Sequence, residues 1–299
     1  DLILNAAVTA PAAVSLSADA GAIVGSAAGL VTTKALDILA LNGATVSTKV
    51  ETVAGKVTGT GAGITVNEAD DLTVGTATTP LAANNGPISV TAAGAMAVNV
   101  VNAGTSGSVT LVAGSNLTQA VAGDAAEIVA ATATLTSKQG RIDLDTDVQT
   151  LSASATSSTI DIDNVSTKAV TLQNVVAANN VRISAASQMT AQSVTSNLSN
   201  VSLTTVTPIG TTAANSILVG TVSAIKGVAT LVATGDVLAA DPTGSSPNIL
   251  ATTGRVSAVS KADGLINLRT AVGTLGALAN SNVTIVEADA VTLGEPTGP

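Results

Sequence analysis

The chain has no Phe, Tyr, Trp, His or Cys among its 299 residues, and this absence limits what it can fold into. Globular domains use aromatic rings as bulky core residues, because each ring buries roughly 150–250 Å² of surface. Without them, the interior must be built from Ala, Val, Ile and Leu. These residues suit a thin core of repeated layers better than one large core. The lack of His and Cys also removes most of the usual catalytic and metal-binding side chains.

The bulk composition excludes several classes of protein. Hydrophobic residues make up 46% of the chain and charged residues 10%, whereas disordered chains combine low hydrophobicity with high charge. Polar residues interrupt the apolar stretches throughout, so we expect no membrane-spanning segment. The net charge is −9 and the 11 basic residues are scattered singly, so nucleic acid is not an expected partner. The chain starts within a strand-like pattern, which indicates a mature product or a segment of a longer chain.

Short apolar–polar–apolar motifs that follow a turn residue recur along the chain. This alternation predicts half-buried strands, and Gly, Asn, Ser and Asp mark the turns between them. The motifs recur about every 20 residues, a period typical of one coil of a solenoid. The motifs are Ile64/Val66, Ile88/Val90, Val109/Leu111, Ile142/Leu144, Ile160/Ile162, Val181/Ile183, Val201/Leu203 and Val283/Ile285.

A longer period lies above the first one. Gly140–Leu151 matches Gly264–Leu275 at Gly, Ile, Leu, Thr, Val, Thr and Leu, and Gly43–Val53 is a weaker third copy. Ile64–Gly75 (ITVNEADDLTVG) matches Val283–Gly294 (VTIVEADAVTLG) without a gap. These similarities predict one continuous solenoid of three degenerate units, at approximately residues 1–96, 97–215 and 216–299.

Together these patterns predict an all-β fold, a parallel β-helix (β-solenoid) of roughly 14 coils with about 20 residues each. Inward Val, Ile, Leu and Ala would stack into ladders, and Ala239–Asn248 would form an exposed loop. The alternative is a row of tandem β-sandwich domains of about 100 residues each, which usually contain a buried aromatic residue.

The strongest chemical constellation is acidic. Asp143, Asp145 and Asp147 alternate along one predicted strand and would share a face, and Asp161 and Asp163 follow about one coil later. If Ile142 stacked on Ile160, the two groups would lie over one another and repel. A bound Ca²⁺ would relieve that repulsion, so these five residues are the candidate calcium ligands. The alternative is an acidic face that water and salt screen, with no cofactor.

Other motifs favour structural roles. Glu68/Asp70 and Glu287/Asp289 recur at equivalent places and indicate turns in which Asp bonds its own backbone. Asn84–Asn85 and Asn179–Asn180 are also predicted to be turn or stacking residues. Threonine is frequent, but its spacing is too irregular to favour an ice-binding ladder. No phosphate-binding loop or nucleophile elbow is present, so we do not expect an enzyme.

Several of these strings resemble the central repeats of filamentous-haemagglutinin-type surface proteins. These are GSVTLVAGSNLT at residues 107–118, GPISVTAAG at 86–94, GRIDLDTD at 140–147, and the repeated EADxxTxG segment. That family comprises giant β-solenoid adhesins and exoproteins of bacteria. The resemblance covers nearly the whole chain and implies a secreted rod at the cell surface, used for adhesion, spacing or filament formation.

The functional expectation is an extracellular structural rod or a filament-forming, adhesive surface protein. Its open sheet edges would pair end to end with another copy or with the rest of a longer polypeptide. A cell-surface glycan is a further candidate partner. The alternative function is a carbohydrate-binding or carbohydrate-cleaving β-helix, in which paired carboxyl groups would do the chemistry.

Overall fold

Alternation of apolar and polar residues gives this protein a regular structure of parallel β-strands. The computed structural model describes residues 1–26, 28–123, 125–207, 214–258 and 263–294, and none of these forms a helix. The strands stack into a β-solenoid of about 13 turns with roughly 21 residues per turn. The chain divides into two compact units, Asp1–Val148 and Gln149–Pro299.

The first unit contains β1 to β17. The strands are β1 Leu2–Leu4, β2 Val8–Thr9, β3 Ala13–Ala18, β4 Ile23–Gly25, β5 Leu30–Ala40, β6 Ala44–Val57, β7 Ile64–Glu68, β8 Leu72–Val74, β9 Leu81–Ala83, β10 Ile88–Ala92, β11 Met96–Val98, β12 Val101–Asn102, β13 Ser108–Ala113, β14 Leu117–Gln119, β15 Ile128–Val129, β16 Thr132–Ser137 and β17 Ile142–Asp147.

Three ladders of parallel pairing run through the first unit from β6 onwards. The first ladder runs through β6, β7, β10, β13 and β16, and β1 and β4 precede it. The second runs through β6, β8, β11, β14 and β17. The third runs through β6, β9, β12, β15 and β17. Because β6 and β17 belong to more than one ladder, they bend around the corners of the coil.

The core consists of rows of equivalent residues, one from each coil. The middle position of the first ladder is fully buried in every coil from β6 to β16, and it is occupied in register by Val46, Val66, Val90, Leu111 and Leu135. Each coil contacts only the coils next to it, so the interior of one coil is thin. Aliphatic side chains therefore fill it without aromatic rings.

The second unit contains β18 to β29. The strands are β18 Thr150–Ala155, β19 Ile160–Asn164, β20 Val170–Ala177, β21 Val181–Ala185, β22 Met189–Ser196, β23 Val201–Thr205, β24 Ile217–Val232, β25 Val237–Ala239, β26 Ile249–Ala258, β27 Ile266–Ala279, β28 Val283–Glu287 and β29 Thr292–Leu293.

Long strands that bend around corners dominate the second unit. One series of parallel pairings runs from β18 through β20 and β22 to β24, and another runs from β19 through β21 and β23 to the later part of β24. Strand β24 then pairs with β25 and β26, and β27 pairs with β25, β26, β28 and β29. The predicted loop Ala239–Asn248 runs from the last residue of β25 to the residue before β26 and is largely exposed, although Asn248 is buried.

Close stacking of coils requires a glycine inside β6. Gly55 in β6 has a φ of +120°, which L side chains rarely adopt. A Cβ atom built there would approach the carbonyl oxygen of Ile38 in the neighbouring coil to 2.1 Å. The backbone of β6 therefore approaches the neighbouring coil at a distance that leaves no room for a side chain.

The parallel pairing excludes the tandem-sandwich alternative, because immunoglobulin-like sheets pair antiparallel. The predicted motifs also fall into register: Ile64 pairs with Ile88, which pairs with Val109, and Val181 pairs with Val201. The three proposed sequence units are defined by residue similarity and stay a prediction. In the described residues no helix is long and apolar enough to cross a membrane.

We expect Leu111→Ala to lower the free energy of unfolding by about 2–5 kcal/mol, because it opens a cavity in a fully buried row. The neighbouring outward residue supplies the control, since Val112→Ala should cost less than about 1 kcal/mol. Urea unfolding followed by circular dichroism measures both. Equal losses in the two variants would contradict the assigned alternation.

Candidate functional site

The three aspartates of β17 do not share one face, which corrects the sequence-based expectation. Asp143 pairs with Thr118 in the second ladder, whereas Asp147 pairs with Val129 in the third. The strand bends between them, and Asp145 is buried at the bend, with 8% of its surface exposed. Asp143 forms an ion pair with Arg141, with 3.1 Å between Oδ2 and Nη2.

Asp161 and Asp163 lie on β19 in the second unit, and a cation from the next coil already contacts both. Nη1 of Arg182 donates to Oδ1 of Asp161, and Nη2 lies 3.6 Å from Oδ1 of Asp163. The hydroxyl of Ser184 also donates to Oδ1 of Asp163 at 2.6 Å. Interaction with the two aspartates raises the pKa of Arg182. Repulsion between these carboxylates is therefore relieved by protein groups.

No group of three or more His, Cys, Asp or Glu residues within the described ranges is arranged to hold a metal ion. Three of the five candidate calcium ligands lie on β17 in the first unit, and two lie on β19 in the second unit. Calcium binding by these residues stays a prediction. Arg141, which immediately precedes β17, pairs with Asp143, and Arg182 of β21 pairs with Asp161 and Asp163.

A buried glutamate closes a corner of the coil in the first unit. Glu68, which is 5% exposed, accepts hydrogen bonds from the backbone N–H of Val50 at 3.0 Å and of Ala69 at 2.8 Å. The N–H of Asp70 donates to the same carboxylate at 3.3 Å. Desolvation by burial raises the pKa of Glu68, and hydrogen bonds from Thr48 and Val50 oppose this shift.

The equivalent glutamate of the second unit makes similar contacts to the neighbouring coil and to the next residue. Oε1 of Glu287 accepts from the N–H of Val272 at 3.1 Å and of Ala288 at 3.2 Å. Oε2 accepts from the hydroxyl of Thr270 at 2.6 Å. The chain bends at both repeated motifs, as predicted. The side chain that bonds the backbone there is the glutamate and not, as predicted, the aspartate two residues later. The carboxylate of Asp70 instead lies 3.8 Å from the ammonium group of Lys49.

Another buried glutamate of the first unit was not singled out in the sequence. Glu127 immediately precedes β15, is 5% exposed, and accepts a hydrogen bond from the N–H of Asp145 at 2.7 Å. Desolvation raises its pKa from an ordinary value of 4.5 to about 7, and the charges of Asp145 and Asp143 contribute to the rise. No local pattern marks Glu127, because its partner is on the following coil.

Side-chain amides bridge successive coils at other turns. Oδ1 of Asn180 accepts from the N–H of Asn200, and Oδ1 of Asn200 accepts from the N–H of Val228. In the first unit, Asn84 donates to the carbonyl of Thr58, and Asn85 has a φ of +58°. The predicted turn role of the Asn–Asn pairs is confirmed.

We call Glu68, Glu127 and Glu287 the corner glutamates, because they supply acceptors where strands bend.

Each corner glutamate accepts at least one hydrogen bond from a backbone N–H group of a neighbouring coil, so these side chains help to hold successive coils together. Comparison with protein-family models, curated proteins and solved structures finds no match to the chain. Fold and contacts together define a β-solenoid repeat protein.

We expect Glu68→Ala to lower the free energy of unfolding by about 1–3 kcal/mol, because the buried N–H of Val50 and the part-buried N–H of Ala69 lose their acceptor. The matched control is Glu51→Ala, which removes an exposed glutamate of β6 and should be nearly neutral. Chemical unfolding of both variants measures the difference. A loss no larger than that of Glu51→Ala would rule out the structural role of Glu68.

The raised pKa of Glu127 predicts a stability that falls as pH rises. The folded state holds this proton more tightly than the unfolded state, so the stabilisation is complete below 4.5 and disappears as pH rises through about 7. The full effect would be on the order of 3 kcal/mol. Glu68 acts in the same direction.

Unfolding at about pH 5 and about pH 8 measures the effect. Glu127→Gln keeps an acceptor for Asp145 but does not titrate, so the pH dependence should shrink in this variant and shrink further in the double variant with Glu68→Gln. Glu51→Gln is the control. An unchanged pH profile in Glu127→Gln would show that the carboxyl does not titrate in this range.

Proposed function

We propose that the chain is an extracellular structural rod or filament-forming, adhesive surface protein. It would stack end to end with other copies or continue in a longer polypeptide. The observation that carries this proposal is the parallel solenoid itself, because its continuous hydrogen-bond ladders resist extension. Terminal strands of such ladders present unpaired N–H and C=O groups that tend to pair with another strand.

The last coil of the described residues shows this feature in detail. Strands β28 and β29 pair with β27, and within the described ranges their other edges face no strand. Val283 is 46% exposed although its partner Ile266 is buried at 1%. Leu293 is 80% exposed beside Leu275 at 5%. A further coil, from another copy or from a longer chain, would cover this apolar surface.

The resemblance to filamentous-haemagglutinin-type repeats supports a secreted, bacterial, cell-surface setting for such a rod. The composition is compatible with that setting, because a chain without cysteine passes through oxidising compartments without forming disulfides. Adhesion to a cell-surface glycan or to another copy of the chain would use the outward faces of the coils.

Carbohydrate binding is the second candidate function, and one surface feature favours it. A shallow depression of about 340 Å³ in the second unit is lined by polar side chains that include Asp161, Asn180, Arg182, Asn200 and Ser202. Most of these groups already bond neighbouring coils, as Arg182 does with Asp161 and Asn200 with Val228. The depression has no aromatic platform, so the structural rod is preferred.

The end-to-end contact predicts reversible, concentration-dependent association. We expect sedimentation velocity of the wild type to show species larger than one chain, and electron microscopy to show rods with a reflection near 4.8 Å along their axis. The double variant V283K/L293K places charges on the surface that stacking would bury. Its association should weaken by at least about tenfold.

The control is L198K/I225K, which places the same charges at two exposed apolar residues of the second unit, 54% and 57% exposed, away from β28 and β29. Its association should match the wild type. A strictly monomeric wild type would remove the self-association part of the proposal and leave continuation in a longer chain. Equal weakening in both double variants would show that contacts are lateral.

A further inference from the structure

The outward side of the first ladder carries two parallel rows of short side chains, nearly all of them polar. Both rows cross β6, β7, β10, β13 and β16 in register, with one residue per strand in each row. We call these residues the threonine face. The first row is Thr45, Thr65, Ser89, Thr110 and Thr134, and the second row is Ser47, Asn67, Thr91, Val112 and Thr136.

Strand geometry sets the spacing of this array. Neighbouring strands lie about 4.8 Å apart, and residues two apart on one strand lie about 6.7 Å apart on the same side. No register shift interrupts the pairing across these strands. The result is a two-dimensional lattice of side chains, two columns wide and five strands long.

The chemistry of the threonine face is uniform. All of its members except Asn67 and Val112 carry a hydroxyl group, and none is charged. All are exposed or half-buried. Within the described part of the chain, none of these hydroxyls takes part in the side-chain hydrogen bonds that bridge coils elsewhere, so they face solvent with their bonding capacity unused. Threonine adds a methyl group that limits the positions a bound water can take.

The irregular spacing of threonine along the chain does not disturb this lattice. Coils differ in their number of residues because their loops differ in length, but the strands of the first ladder still pair in an unbroken register. Ser89 therefore stacks on Thr65 and Thr110 stacks on Ser89, although the intervals between them differ. Hydroxyl side chains are thus aligned in the folded protein although their spacing in the sequence is irregular.

The other two faces of the first unit lack this pattern. The corresponding row of the second ladder reads Thr52, Thr73, Ala97, Thr118 and Asp143, and that of the third ladder reads Lys56, Ala82, Asn102, Val129 and Asp147. Charges and longer side chains break both rows. Among the described residues of the first unit, a neutral hydroxyl lattice is therefore found on the first ladder alone.

We propose that the threonine face binds the surface of ice. Its two repeats are close to the distances between oxygen atoms on faces of hexagonal ice, so hydroxyl and methyl groups hold a layer of water in positions that continue the crystal. A crystalline polysaccharide is less suited to this face, because the face has neither an aromatic platform nor long hydrogen-bonding side chains. This activity does not depend on end-to-end assembly.

Polycrystalline ice in a sucrose solution is the direct probe. The wild type should slow the growth of ice grains and should be enriched in ice that grows slowly from dilute solution. The double variant T65K/T110K places two long charged side chains on the lattice, and its potency should fall by at least about tenfold. T65A/T110A, which adds no charge, should lose potency in the same direction.

The matched control is T73K/T118K, which makes the same substitutions on outward, half-buried threonines of the second ladder. It should stay within about twofold of the wild type, and circular dichroism confirms that each variant is folded. A wild type without effect on ice would overturn the proposal, as would equal losses in T65K/T110K and T73K/T118K. Loss of self-association in T65K/T110K, with a wild type inert toward ice, would assign the face to a contact between copies.

Discussion

The parallel hydrogen-bond ladder between successive coils is the interaction on which the rest of the structure depends. Each strand takes its backbone partners from the coils before and after it, so the register of one coil sets the register of the next. Equivalent residues are thereby brought into rows about 4.8 Å apart. The aliphatic core, the corner contacts and the outward faces all follow from this stacking.

Stacking explains how a chain without aromatic residues forms a core. A row such as Val46, Val66 and Val90 needs side chains that fill one layer only, and branched aliphatic residues do so. The same stacking creates a cost at the corners, where a bending strand leaves backbone N–H groups inside the protein. The corner glutamates meet this need, and burial raises the pKa of two of them, Glu68 and Glu127.

The acidic residues illustrate how stacking redirects chemistry. Asp161 and Asp163 look like a cation site when only their own strand is considered, yet the next coil supplies Arg182 to both. Outward residues inside a solenoid lie next to residues of the coils before and after, about 21 positions away, and these neighbours decide whether a charge is paired. The threonine face is the opposite case, in which no coil supplies a charge and a neutral lattice results.

Much of this architecture was predictable from local pattern, because strands and turns are marked by neighbouring residues. Alternation at Ile64/Val66 and Ile88/Val90, and the Asn–Asn turns, identified strands, coil length and fold class. The partner of a strand in the next coil was not predictable where loop length varies. The sequence motifs do not show, for example, that Val109 pairs with Ala133 in the first ladder and that Leu117 pairs with Ile142 in the second. For the same reason the bend at Asp145, the role of Glu127 and the alignment of the threonine face emerged only on folding. Each depends on a partner that the backbone ladder selects, and a linear pattern does not encode that choice.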